Sequence, residues 1–220
     1  MDEKKTVKVA AVMTRGRYIN GFCTDYIHAA FRKLGMPLNI RGGVFYGQAM
    51  QAMFEDMVAK EVDVVVTVDG DSLFTADQVR QVITTLLSDD KIDAVASMQP
   101  RRGDAILLAS KRGEGSLQID GSPVEVSTAH FGLTALRVAK IAQTPKPWFV
   151  CREDAEGGFG DGRIDDDIWF WRQWEKAGNS VYLDPQVCIG HMEEMVAIHD
   201  PQTMQARHIY PKDWIESCNL

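Results

Sequence analysis

Apolar and polar positions recur at two different periods along this chain, and the switch from one period to the other marks out its elements. Residues 7–13 form an apolar run that reads as a strand opening the core. Residues 26–34 carry apolar side chains at helical spacing and stop at Gly35, a residue suited to the left-handed turn that ends a helix. A second strand is expected around 38–40 and a helix from about 48 to 60. Residues 62–68 are a nearly continuous β-branched run, the pattern of a strand buried on both faces of a parallel sheet. Thr75 and Gln78 make a capping-box pair at the head of a helix reaching about Ser88, and 93–98 supply the next strand. The order β-α-β-α-β-α-β predicts an α/β fold, with a mostly parallel central sheet flanked by helices.

The second half is less regular. Residues 105–109 and 116–119 read as the arms of a hairpin joined by a glycine-rich turn at 111–115. Residues 138–142 read as a helix that Pro145 and Pro147 end, and 153–162 as a loop rich in glycine and acid. Asp165 is placed to cap a helix running to Ala177, with Gly178 just beyond it. A short strand at 180–183 is followed by Pro185 and an apolar stretch ending at His191. No linker, repeat or low-complexity tract interrupts the 220 residues, so 1–220 is read as one domain.

Composition narrows the function classes. A formal charge of −7 argues against a protein whose main task is gripping nucleic acid or an anionic membrane. Cys23, Cys151, Cys188 and Cys218 are far apart and show no C-x-x-C spacing. They give neither a zinc site nor a disulfide framework and fit a reducing cytosol. With no signal-peptide pattern and no apolar run of membrane-spanning length, the expected setting is soluble and cytoplasmic.

Three places carry chemistry. Asp69-Gly70-Asp71 directly follows the buried strand. Ligands of open α/β sheets sit beyond the carboxyl ends of strands, and two carboxylates there can reach one divalent cation. The plainer reading is a polar turn. Asp165-Asp166-Asp167 precedes an aromatic run. Capping explains one of the three, but adjacent like charges repel unless a cation or proton is shared, and one of them can serve as a general base. His191 ends the run Val187-Cys188-Ile189-Gly190; a lone histidine is more often structural than a ligand, and His28, His130, His199 and His208 take that reading.

Together these pieces make a pattern. From about Val62 to His191 the chain resembles glycosyltransferases of the GT-A fold, in particular the family 2-like enzymes of bacteria and phages. The family's D-x-D corresponds to Val68-Asp69-Gly70-Asp71-Ser72. Its middle segment corresponds to Thr128-Ala129-His130-Phe131-Gly132 and Lys146-Pro147-Trp148-Phe149. Its Glu-Asp, Arg and Ala-Gly correspond to Asp166-Asp167, Arg172 and Ala177-Gly178. Its closing Tyr-x-Asp-Pro and Gly-His correspond to Tyr182-Leu183-Asp184-Pro185 and Gly190-His191.

The resemblance implies a nucleotide-sugar-binding half over about 1–100 and an acceptor-facing half over about 101–220. It implies Mn²⁺ or Mg²⁺ on Asp71 and His191, with Asp69 on the metal or the donor ribose. Thr14, Arg15 and Arg17 would cradle the nucleotide of a donor, a UDP-sugar foremost. Asp167 stands at the family's base aspartate, while Asp166 replaces its glutamate with one methylene fewer, so either carboxylate is a candidate for the base. The family's Arg-Asn on the helix before the metal strand is replaced by residues 48–53. On the acceptor side the resemblance points to His130, Trp148 and Trp169, although aromatics at helical spacing commonly fill a core. The acceptor is a hydroxyl on a glycan, a lipid-linked saccharide or a modified DNA base, and Arg101, Arg102, Lys111 and Arg112 flank that side. The rival readings are a magnesium-dependent phosphohydrolase of the haloacid-dehalogenase type, whose nucleophile loop Asp69-Gly70-Asp71-Ser72 resembles, and a non-catalytic sugar- or nucleotide-binding module.

Overall fold

The computed structural model describes residues 6–16, 20–103, 106–111, 117–160, 162–199, 203 and 205–217. In chain order the elements are β1 (Val9–Arg15), α1 (Gly21–Leu34), β2 (Leu38–Gly42), α2 (Tyr46–Ala59), β3 (Val64–Val68), β4 (Ser72–Leu73) and α3 (Ala76–Ser88). They continue as β5 (Ala94–Met98), β6 (Ser110–Lys111), β7 (Val124–Thr128), β8 (Leu133–Arg137), α4 (Val138–Gln143) and α5 (Asp166–Lys176). The last are β9 (Val181–Cys188), β10 (Gly190–His191), β11 (Val196–His199), β12 (Ala206–Ile209) and α6 (Pro211–Ser217).

Local signals set the first half. The Asn20 side chain accepts the Cys23 N–H to start α1, and Gly35, at φ +63°, ends it. Thr75 and Gln78 cap α3 reciprocally. The central sheet has the order β2-β1-β3-β8-β5-β9-β7-β6. Six of its eight strands run one way; β8 and β7 run against their neighbours. β8 can lie inside the sheet because Leu133, Thr134, Ala135 and Leu136 are all buried and the Thr134 hydroxyl is spent on the His130 carbonyl.

Three details differ from the periodicity. The expected hairpin of 105–109 with 116–119 does not form: Leu107 bridges Pro100, β6 pairs with β7, and residues 117–119 are irregular. Joining the main sheet gives β6 a support that a lone two-stranded hairpin, marginal in water, lacks. Most of the expected turn, including Arg112, lies outside the described residues. β9 is longer than expected and runs through Pro185, because its register against β5 jumps from Ser97↔Asp184 to Met98↔Cys188. Proline sits in that irregular stretch without costing a ladder bond. Asp165 holds the cap position of α5, but its carboxylate pairs with Arg163 at 2.8 Å and makes no cap bond.

The sheet buries a different cluster on each face. One, under α1 and α3, is aliphatic apart from Phe31 and Phe74; the other, under α2 and α5, holds seven large aromatics. Phe170 stacks on Phe149 at 5.2 Å and on Trp174 at 5.5 Å, and Phe131 stacks on Trp171 at 5.2 Å. His130 pins the β7–β8 connection. Its Nε2–H donates to the Ser97 carbonyl at 2.7 Å, and its Nδ1 accepts the Gly132 N–H at 3.0 Å. Gly132 admits no side chain, since a Cβ would meet the Gln99 amide and lie 2.8 Å from Ser72 Oγ.

Phe170→Ala is expected to cost about 3–5 kcal/mol of stability, the range for truncating a fully buried Phe, read from urea unfolding. Burial pushes His130 from 6.5 down to about 4. The unfolded chain therefore binds this proton first, and stability present above pH 6.5 falls as pH drops toward 4. The urea midpoint of the wild type should fall more steeply over that window than that of His130→Gln.

Candidate active site

The site is built where β3 ends. After Val68 the chain turns through Asp69-Gly70-Asp71 into β4, with the Ser72 N–H closing on the Asp69 carbonyl at 3.1 Å. β4 is met from the far end of the sequence by β10, which pairs His191 with Ser72, and the Met192 N–H bonds the Asp71 carbonyl at 2.8 Å. This short ladder carries His191 Nε2 to 3.3 Å from Asp71 Oδ2. The other ring nitrogen, Nδ1, lies 3.0 Å from the Pro100 carbonyl and donates its proton there, so Nε2 is the nitrogen directed at the carboxylate: it donates to Asp71 when the ring is protonated and offers a lone pair when it is neutral. Arg102 Nη1 approaches the same Oδ2 at 3.2 Å.

Acidity follows from these contacts. Burial pulls Asp71 upward, but the His191 hydrogen bond and the His191 and Arg102 charges outweigh it and hold Asp71 below the usual carboxylate range. His191 is raised, first by its bond to Asp71. Asp69 is pushed up to about 7, chiefly by burial and then by the charges of Asp71 and Asp167.

The opposite wall is the start of α5. Asp167 Oδ1 accepts the Ile168 N–H at 2.7 Å, and burial pushes this carboxyl up to about 6. Asp166 reaches across to α2, where its Oδ2 lies against Gly47; burial raises it, while the N–H groups of Gly47, Asp167 and Asp166 itself pull it the other way. Tyr46, the first residue of α2, lies edge-to-face on Phe149 and lines the cleft. Burial, followed by Asp69, Asp167, Asp166 and Asp71, raises its phenol well above the ordinary value, so the hydroxyl keeps its proton.

Between these walls is a cleft of about 800 Å³, closed on its third side by residues 106–110. Beside it, a cavity of about 130 Å³ is lined by Thr14, Arg15, Arg41 and Tyr46 among others. The structure therefore brings together Asp69, Asp71, His191, Asp166 and Asp167 in one cleft, with Thr14 at the junction of both spaces and Arg15 in the smaller. Arg17 lies outside the described residues. Asp69, Asp71 and His191 do not close into a ready three-ligand cage; among the described residues no such group of three exists.

The acceptor-side expectations fare differently. His130 lines the cleft, but both ring nitrogens are engaged by the backbone. Trp148 is 2% exposed, donates its indole N–H to the Thr144 carbonyl at 2.8 Å and lines neither space; it belongs to the aromatic core. Trp169 is half-buried, donates to the Pro147 carbonyl at 3.0 Å, carries the Arg152 guanidinium over its ring and also lines neither space. Sequence reasoning missed Tyr46 and Gln99. Gln99 is buried and ties Ser72 to the Gly190 carbonyl. The one sequence signal for Tyr46 is Gly47 behind it, a glycine at a helix start where a Cβ would fall 2.6 Å from Asp166 Oδ2.

No family model matches the sequence, and no curated protein does. Solved structures share the fold. A197 from STIV superposes with a TM-score of 0.61 over 92% of this chain and 94% of that one, at 12% identity. GalNAc-T7, solved with UDP, GalNAc and Mn²⁺, gives 0.54 over 87% of this chain and 45% of its own, at 9% identity. The mannosyltransferase PcManGT from Pyrobaculum calidifontis, solved with GDP-Man and Mn²⁺, gives 0.50 over 84% and 56%, at 13% identity. The chain spans about half the length of these two transferases. At such identities the likeness is one of architecture, and the architecture is the GT-A fold, a mixed α/β sheet of mostly parallel strands flanked by helices.

Proposed function

We propose that this chain is a divalent-cation-dependent glycosyltransferase that moves a sugar from a nucleotide-sugar to an acceptor hydroxyl. One observation carries the reading: Asp69, Asp71 and His191 face Asp167 across a single cleft, so a cation-binding wall opposes a carboxylate of raised pKa. The cation, Mn²⁺ or Mg²⁺, would be held by Asp71 and His191, with Asp69 on it or on the donor. The residues fit such a group: the Pro100 bond leaves His191 Nε2 directed at Asp71, and the Arg102 guanidinium already rests on that carboxylate as a cation would. Bound there, the metal neutralises the donor diphosphate and the charge developing on the leaving nucleotide.

The protein's own groups do the rest. Thr14 and Arg15 border the smaller cavity and take the nucleotide end of the donor. Two of the solved neighbours hold UDP and GDP-Man, which supports a nucleoside diphosphate sugar as the donor class, a UDP-sugar first. Asp167 accepts the proton of the attacking hydroxyl; near pKa 6 it is ionised at neutral pH yet more basic than an ordinary aspartate. A base on the wall opposite the diphosphate favours inversion. The acceptor enters past residues 106–110, and a glycan, a lipid-linked saccharide and a modified DNA base are the classes to try. A haloacid-dehalogenase phosphohydrolase carries its nucleophile after the first strand; here Asp69 follows β3 and Ser72 replaces the next glycine.

Purified protein with Mn²⁺ is expected to release nucleotide from one member of a nucleotide-sugar panel and to stop in excess chelator. Asp71→Ala should behave as chelation does; full turnover by that variant in metal-free buffer would sink the reading. Asp167→Asn should lower transfer by about 10² or more while nucleotide binding persists. Because Asp167 is raised, its active ionised form is lost below about 6, so kcat/KM of the wild type should climb with pH through that value. A flat profile there would remove Asp167 as the base.

A further inference from the structure

Helix α2 starts at the cleft with an unmet need. The first N–H groups of a helix have no partner within it, and Phe45 in the cap position makes no side-chain cap bond. Asp166, on another helix and 119 positions away (166 − 47), brings its carboxylate against Gly47 at this end, where the Gly47 N–H favours its ionised form. The approach is close: a Cβ on Gly47 would lie 2.6 Å from Asp166 Oδ2 and 3.0 Å from Phe149 Cβ. A carboxylate at this end also meets the positive end of the α2 dipole.

What this contact holds is the residue just ahead of Gly47. Tyr46 lines both the 800 Å³ cleft and the 130 Å³ cavity, so its ring is part of the wall between them. On one side are Asp69, Asp71 and Asp167; on the other are Arg15 and Arg41. A shift of the first turn of α2 would move that wall.

We propose that Asp166 is a positioning residue for the donor: by holding the N-terminus of α2 it fixes Tyr46 as the partition between the two spaces. The inference rests on the transferase reading for what fills them, a nucleotide base in the small cavity and a diphosphate sugar in the cleft. Asp166 then serves the start of α2 rather than the acceptor's proton, because its Oδ2 is packed against Gly47. Tyr46, neutral and fixed, offers its hydroxyl as a hydrogen-bond donor among the carboxylates.

The test compares Asp166→Asn, Asp166→Ala, Gly47→Ala and Asp167→Asn in the full chain, each checked for native circular dichroism. Two quantities are read: amide hydrogen exchange over residues 45–49 without ligand, and the Kd for UDP and for GDP with Mn²⁺ by calorimetry. Asparagine keeps an oxygen for the Gly47 N–H, so Asp166→Asn should stay within about threefold of wild type in Kd and exchange. Asp166→Ala and Gly47→Ala should raise exchange in that turn and weaken nucleotide binding by about tenfold each, the effect of losing a helix cap. Asp167→Asn should alter neither.

Wild-type exchange and Kd in Asp166→Ala would overturn the proposal. So would a hundredfold loss of transfer in Asp166→Asn with Kd and exchange unchanged, which would make Asp166 the proton acceptor. Should the wild type bind neither nucleotide, the transferase reading and the donor role fall together, while the exchange measurement, made without ligand, still decides whether Asp166 anchors α2.

Discussion

Five carboxylates, those of Asp69, Asp71, Asp165, Asp166 and Asp167, line one cleft, and their crowding is the constraint that the surrounding structure accommodates. Two like charges about 4 Å apart repel by about 4 kcal/mol at the effective dielectric of a protein surface. Each carboxylate is compensated differently. Asp71 has His191 and Arg102, Asp165 has Arg163, Asp166 has the start of α2, and Asp167 has the Ile168 N–H. Asp69 has no such partner among the described residues, and burial first, then the charges of Asp71 and Asp167, push it up to about 7. With a folded-state value above the ordinary 3.8, Asp69 binds its proton more tightly in the folded chain, so its contribution to stability is lost as pH rises through about 7. The cluster is thus least favourable where these carboxylates are all ionised.

That constraint is tolerable only because both walls are rigid. The Asp71–His191 wall depends on the β4–β10 ladder, and the ladder depends on how β9 ends. The register jump at Pro185 redirects the chain, and the Ile189 N–H then bonds the Met98 carbonyl at 2.9 Å. Gln78 caps α3 through its side-chain oxygen and with its amide nitrogen bonds the Cys188 carbonyl at 2.5 Å. One residue thereby ties the head of α3 to the approach to His191. The Asp166–Asp167 wall stands on Phe170, Trp171 and Trp174, which lock α5 into the aromatic cluster. Trp148 and Trp171 belong to that foundation.

The first half of the fold was legible because its signals are local: the β-branched run of β3, the Gly35 stop and the reciprocal Thr75–Gln78 cap each act within a few residues. The placement of β8 between β3 and β5, and of β6 beside β7, was not, because strand order is decided by which edges remain to be covered. In the site, the chemistry-bearing types stood out as Asp69-Gly70-Asp71, Asp166-Asp167 and His191, and the resemblance supplied their grouping. Tyr46 escaped because a tyrosine opening a helix looks like any half-buried aromatic. Its neighbour Gly47 meets Asp166, 119 positions away (166 − 47), an approach that only the folded chain makes. Trp148 was misplaced for the converse reason, since an indole that stacks on a sugar and one that fills a core are the same residue in a sequence.

The third wall is built on a different principle. Residues 101–103 and 106 are exposed, and this side meets the C-terminal hairpin through Glu193, which accepts the Gly103 N–H at 2.5 Å and the Tyr210 hydroxyl at 2.7 Å. The β11–β12 hairpin pairs with itself and lies outside the main sheet. The two walls that hold charge are therefore carried by buried strands and an aromatic-packed helix, whereas the third is carried by surface segments that polar bonds join. Surface segments tolerate replacement and buried elements do not. This division accounts for an architecture kept at 9–13% identity: the buried elements that set the fold hold their places while the exposed segments around the cleft are free to differ.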